Sequence, residues 1–152
     1  MSWQVPKTDW KFTDYYNVQD LERVRDNLLY LQQQLVSLGY YSPELNEIST
    51  SNSYKTLPTV QLINMLEQNL QTIADTLGTW VDSVWGGRET WVSILSANYM
   101  RNPNSGDWNR WEQLTQVVYD SIQYLNVYLH YRIAGTFYAG SNNLVQTFSR
   151  GR

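Results

Sequence analysis

The chain contains no cysteine and a single histidine, His130. The first absence removes disulfide staples, thiolate zinc sites and thiol catalysis together. The second leaves a Ser-His-Asp triad or a histidine metal cage short of parts. His130 stands between Leu129 and Tyr131, near the end of a helical stretch, and reads as a packed or helix-terminal side chain rather than a base. Charge is also sparse. Of 152 residues 16% are charged, 11 basic against 14 acidic with no basic block, so the surface that neutralises a nucleic-acid backbone is missing. No segment approaches the roughly 20 apolar residues of a membrane span. The N-terminal stretch carries Lys7, Asp9 and Lys11 without the apolar run of a signal peptide, so synthesis and folding in a cytoplasm are expected. There is no glycine-rich phosphate loop, Gly86-Gly87 being a turn signal, and no acid pair stands in a setting suited to glycoside hydrolysis. The expectation is a protein with no enzymatic activity, no catalytic residues, no cofactor and no metal, binding neither nucleic acid nor membrane.

What is plentiful is aromatic: 7 Trp and 12 Tyr bring the aromatic share to 14%, within 42% hydrophobic residues overall. Such an excess needs a core, an interface or a ligand platform. The length suits one domain, 1–152. Its organising stretch is 17–39, where Leu21, Val24, Leu28, Leu31, Leu35 and Leu38 alternate by three and four and so share one face of a helix. Asn17 caps it, Asp20 suits its N-terminus and Gly39 stops it. A loop over 40–57 leads to a second helix, opened by Pro58, with the stripe Ile63, Leu66, Leu70, Ile73 and Leu77 and a stop at Gly78. The two make a natural antiparallel pair. Residues 79–100 suit a turn and a short helix beginning near Arg88. A third helix, capped by Asp107, carries Trp111, Leu114, Val118, Ser121, Leu125 and Tyr128 on one face, and Gly135 ends the helical region. The first helix echoes in the third, Val24 to Leu31 against Val118 to Leu125, at the level any two amphipathic helices reach.

The flanks differ. Residues 1–16 form an aromatic arm with Trp3, Trp10, Phe12, Tyr15 and Tyr16, where Pro6 and the lack of a period argue against a helix. An arm this apolar should lie on its own domain or on a neighbouring subunit. In the tail, Thr136, Phe137 and Tyr138 and then Leu144 to Phe148 flank Gly140-Ser141-Asn142-Asn143, a hairpin signature. The expected fold is mainly α: a bundle of about three amphipathic helices over 17–135, with an extended aromatic N-terminal arm and a C-terminal β-hairpin over 136–152.

The segment WKFTDYYNVQDLERVRDNLLYL over 10–31 resembles structural proteins of tailed phages and prophages of Gram-positive bacteria: an aromatic arm, then Asn17, Asp20, Arg23, Val24 and Asn27 spaced along a helix start. In this chain Asp20-Leu21 replaces the more usual Asp-Tyr or Asp-Ala. Residues 107–112, DWNRWE, and 135–140, GTFYAG, are similar to runs in the same proteins, whereas residues 40–105 match little. The resemblance implies a non-enzymatic virion component of the tail, baseplate or a neck or head appendage, made in the host bacterial cytoplasm and assembling with itself and other virion proteins. Trp3, Trp10, Tyr15, Tyr16, Asn17, Asp20, Arg23, Asn27, Phe137, Tyr138 and Phe148 are then the assembly or interface candidates, with Asn17, Asp20, Arg23 and Asn27 expected to fix a helix start and a packing contact. Two other classes stay open. One is a carbohydrate-binding module recognising the host surface through Trp80, Trp85 and Trp91, which needs exposed rings. The other is an enzyme with a carboxylate pair assembled by folding, which needs two acids converging in a cleft.

Overall fold

The protein is described by a computed structural model over residues 2–40, 44–50, 59–78, 81, 85–91 and 103–139, with 129–139 given as backbone. Three helices appear there and no strand: α1, Val18–Ser37; α2, Val60–Leu77; and α3, Ser105–Ala139. Contacts divide the chain into two compact units, Met1–Tyr119 and Asp120–Arg152.

In the first unit, the helices bury the stripes their spacing marks out, except that Leu38, the last of the first stripe, is the half-buried C-cap of α1. Leu21, Val24, Leu28, Leu31 and Leu35 of α1 pack with Ile63, Leu66, Leu70, Ile73 and Leu77 of α2, and the first half of α3 adds Trp108, Trp111, Leu114 and Val118. Polar side chains lie among them: Asn27, Glu67, Asn69, Glu112 and Thr115 are all buried. The ends of α1 follow from local chemistry. The Asn17 side chain accepts from the Gln19 and Asp20 amides while Asp20 Oδ2 accepts from Asn17 N–H at 2.8 Å, a reciprocal capping box. At the other end Tyr40 N–H bonds Leu35 O and Gly39 N–H bonds Val36 O, a Schellman closure that requires the positive φ of Gly39, +92°.

Several boundaries differ from the sequence expectation. Thr59 caps α2, accepting from Leu62 N–H, whereas Pro58 lies outside the described residues. For α3, the cap moves back from Asp107 to Asn104: Asn104 Oδ1 accepts from Asp107 N–H at 3.0 Å and Asp107 Oδ2 accepts from Asn104 N–H at 2.8 Å. No helix starts at Arg88, since residues 86–91 are irregular and their amides bond side chains of α2 instead of each other. Gly135 does not end α3, and Thr136, Phe137 and Tyr138, expected as the first hairpin strand, fall within the helix. The stripe Ile122, Leu125, Leu129, Ile133 and Phe137 keeps helical spacing across Gly135, whose penalty of about 1 kcal/mol is small against continued helix formation. Residues 140–152, the rest of that expected hairpin, lie outside the described residues, as does Phe148.

The second unit contains the remainder of α3. Ile122 is buried, the Tyr124 and Tyr128 rings stack with centroids 6.1 Å apart, and Tyr124 and Val127 are exposed.

Candidate functional site

Irregular segments are fastened to the helices of the first unit by one repeated device. An asparagine on a helix pairs both polar atoms of its amide with the N–H and C=O of a single backbone residue in an irregular stretch. Asn27 of α1 holds Gln4 at 2.9 and 2.8 Å. Asn109 of α3 holds Trp10 at 2.7 and 2.9 Å. On α2, Asn64 holds Trp91 at 2.7 and 2.9 Å, and Asn69 holds Asn46 at 2.7 and 2.9 Å. Each clamp satisfies two main-chain groups that have no strand partner, which is what lets irregular backbone lie against a packed surface.

Two of these clamps belong to a larger constellation that occurs twice. In the first copy, Asn64 fixes the Trp91 backbone, Glu67 lies one helical turn on, and the Trp91 indole N–H points at the Glu67 carboxylate, 3.4 Å away. Arg110 from the start of α3 completes the group by pairing with both Glu67 oxygens. In the second copy, Asn109 fixes the Trp10 backbone, Glu112 lies one turn on, and Arg23 from the start of α1 pairs with Glu112, its Nε donating at 2.9 Å. Both carboxylates are fully buried. The arginines stand at equal distances from their helix caps, in Asn17-x-x-Asp20-x-x-Arg23 and Asn104-x-x-Asp107-x-x-Arg110. The acceptors likewise share Asn-x-x-Glu-Gln, at 64–68 and 109–113. α3 therefore gives an arginine to α2 and receives one from α1.

The copies are unequal in one respect. Glu67 has a second indole donor, Trp111 Nε1 at 2.7 Å, and the Glu89 amide at 3.3 Å. In the corresponding place α1 carries Val24, which donates nothing, and Glu112 Oε2 is buried without a hydrogen bond. Trp10 Nε1 and Trp108 Nε1 are likewise buried without one. Burial accordingly pushes the Glu112 carboxyl above the usual carboxylate range, against the downward pull of Arg23 and the neighbouring Trp10 indole and with a further push from Asp20. Arg23, despite its own burial, is held above its ordinary value by Glu112 and Asp20.

The linkage has a definite sign. A carboxyl whose native pKa exceeds its unfolded pKa contributes stability that is fully present below the unfolded value, near 4.5, and is lost as pH rises through the native one. The stability of the wild type relative to Glu112→Gln should therefore increase as pH is lowered from 7 toward 4.5. Urea midpoints of both proteins at several pH values check this, and a difference that is flat or shrinks on acidification contradicts it.

The assembly candidates are placed as follows. Asn17 caps α1, Asp20 closes the capping box and lies 3.1 Å from Arg23, Arg23 meets Glu112, and Asn27 clamps Gln4. Trp3 stacks on Tyr119 with centroids 4.1 Å apart and an angle of 11°, Trp10 is buried against Trp108, and Tyr16 lies half-buried on Trp108 at 5.0 Å. Tyr15 is 96% exposed. Phe137 and Tyr138 fall on the last turns of α3. The proposed sugar platform does not form at Trp85 and Trp91. Both are buried, Arg110 covers the face of Trp85 at 4.7 Å, and the Trp85 N–H donates to Gln71. Trp80 lies outside the described residues.

Asn64, Glu67, Asn69, Asn109, Arg110 and Glu112 were not among the expected site residues. The doubled Asn-x-x-Asp-x-x-Arg and Asn-x-x-Glu-Gln runs are the signal that could have found them.

Elsewhere a cleft of about 430 Å³ lies between α1 and residues 45–48, lined by Arg25, Asp26, Leu28, Leu29 and Asn69. Its polar groups engage neighbours: Arg25 donates to Asp26 and Thr50, and Asn69 clamps Asn46. Among the described residues no group of three His, Cys, Asp or Glu could hold a metal, and no helix is long and apolar enough to cross a membrane. Comparison with models of known families, with characterised proteins and with solved structures gives no significant match.

Proposed function

We propose that this chain is a non-enzymatic structural component of a phage virion, placed in the tail, baseplate or a neck or head appendage, and assembling with copies of itself and with other virion proteins. The observation that carries the reading is the use made of the buried acids. Glu67 and Glu112, the two carboxylates most isolated from water, each face an arginine and an indole and serve to fasten helix to helix and segment to helix. A buried acid paired with an arginine acts as a rivet, because removing either partner leaves an uncompensated buried charge. The same residues that resemble phage structural proteins, Asn17, Asp20, Arg23 and Asn27, are occupied in this fastening. In this reading the contacts between subunits come from the aromatic arm and from the tail that includes Phe148.

Light scattering on the purified chain across a hundredfold dilution tests the proposal. A stable trimer, hexamer or larger ring is the expected result, and a monomer at every concentration overturns self-assembly. The carbohydrate alternative finds no support at Trp85 or Trp91, whose rings are covered.

A further inference from the structure

We propose that the N-terminal arm is an exchangeable strap, able to leave its own subunit and seat in the same groove of a second copy of this chain. The inference rests on the assembly reading only for its setting. Residues 2–10 lie along the surface as an irregular peptide with three plugs, Trp3, Pro6 and Trp10, while Gln4, Val5, Thr8 and Asp9 face solvent. Its anchors all belong to α1 and α3: Asn27 and Asn109 grip the backbone, and Tyr30, Tyr119 and Trp108 receive the tryptophans. The one printed contact of the arm with the segment joining it to α1 is the exposed pair of Lys7 with Asp14. An identical arm from another copy would therefore find every contact to α1 and α3 intact, which is the condition for exchange at low thermodynamic cost.

The joining segment is built like a hinge. Asp14 accepts from the Lys11 amide at 3.0 Å and pairs with Lys7 at 3.0 Å, and the Asp14 amide returns a bond to Lys11 O. The Lys11 amide and Lys7 hold the Asp14 carboxyl below its usual value. Together with the backbone bond from Asp14 to Lys11, this side chain latches the turn that directs the arm back onto its own subunit. Phe12 on this turn and Tyr15 just after it are 92% and 96% exposed. In a chain that covers most of its tryptophans, two rings this bare at a hinge mark a surface awaiting a partner. In an exchanged pair the two hinges run past each other about a two-fold axis, bringing Phe12 and Tyr15 of one copy onto those of the other. The occupant is thus a second copy, because the groove is already shaped to this arm and the bare rings lie where two such arms cross.

Two hinge variants of the full chain test this by light scattering at matched concentration. Deleting Thr13 and Asp14, which spares Phe12 and Tyr15, shortens the connection so that the arm no longer reaches its own groove, and the expected mass is twice that of the wild-type species. A synthetic peptide of residues 2–16 in excess should return it to the original mass. Asp14→Ala, a milder change at an exposed turn, should raise the fraction of doubled species several-fold. Unchanged mass in both folded variants overturns the strap, as does a doubled mass that the peptide leaves untouched. The two proposals separate cleanly. A wild-type oligomer with insensitive hinge variants keeps self-assembly and removes the strap, whereas a wild-type monomer whose variants pair keeps the strap and removes intrinsic self-assembly.

Discussion

Replacing Glu67 by alanine is expected to destabilise the protein by about 3–5 kcal/mol, the range for removing one member of a buried ion pair. The figure follows from what is left behind. Arg110, which pairs with both Glu67 oxygens, would face a cavity, and the indole N–H groups of Trp91 and Trp111 and the Glu89 amide would lose their acceptor. Stranded donors in a dry site cost more than the bonds contribute when made. Glu67→Gln, which keeps the volume and one acceptor oxygen, should lose distinctly less. Urea unfolding reads both, and adding Arg110→Ala to Glu67→Ala should cost less than the sum of the single changes, since either one already breaks the pair. Additive losses would mean that the pair does not act as a unit.

Trp111→Ala should cost a similar amount, about 3–5 kcal/mol, for a different reason. Trp111 is fully buried, with the edge of Trp108 at 5.0 Å and the Trp91 ring at 6.3 Å, and its truncation leaves a void that a well-packed interior fills poorly. Trp111→Phe separates the two roles of the side chain. It restores most of the volume but removes the 2.7 Å donor to Glu67 Oε1, which keeps Arg110 and the Trp91 indole, a loss of about 1.5–3 kcal/mol for a hydrogen bond to a charged group. Near-UV circular dichroism is a second readout, because the signal of the coupled rings should collapse in the alanine variant and persist in the phenylalanine one. Equal unfolding midpoints for Trp111→Phe and wild type would show that the hydrogen bond contributes nothing.

The helices were legible in the sequence because burial imposes a period. Leu21 to Leu35 and Ile63 to Leu77 occupy the core as their spacing requires, and Asn17 and Asp20 announced the start of α1 through a side-chain chemistry that acts within four residues. The fastenings were less legible, for a reason rooted in the same chemistry. An asparagine clamp recognises a main-chain amide, which every residue except proline offers, so Asn64 and Asn109 leave no complementary mark on Trp91 or Trp10. Glu67 and Glu112 sit within apolar stripes where a carboxylate looks like an exposed flank, and their arginines are 43 and 89 residues away. Only the doubling of the motif betrays them. The error at Arg88 has a similar source: its amide and the Trp91 amide bond Gln71 and Asn64, so side chains of α2 outcompete local helix formation. At Gly135 the opposite holds, a local stop signal being overridden as helical spacing of apolar residues continues through Phe137.

The central structural claim is that two equivalent latches hold the Trp10 and Trp91 segments to the helices. Amide hydrogen exchange followed by NMR tests it most directly, because each of these N–H groups donates to an asparagine side chain rather than to a helix or strand. Twin latches predict strong protection at both amides, lost at Trp10 alone in Asn109→Ala and at Trp91 alone in Asn64→Ala. Exchange of the Trp10 and Trp91 amides in the wild type at the rate of an open chain would contradict them.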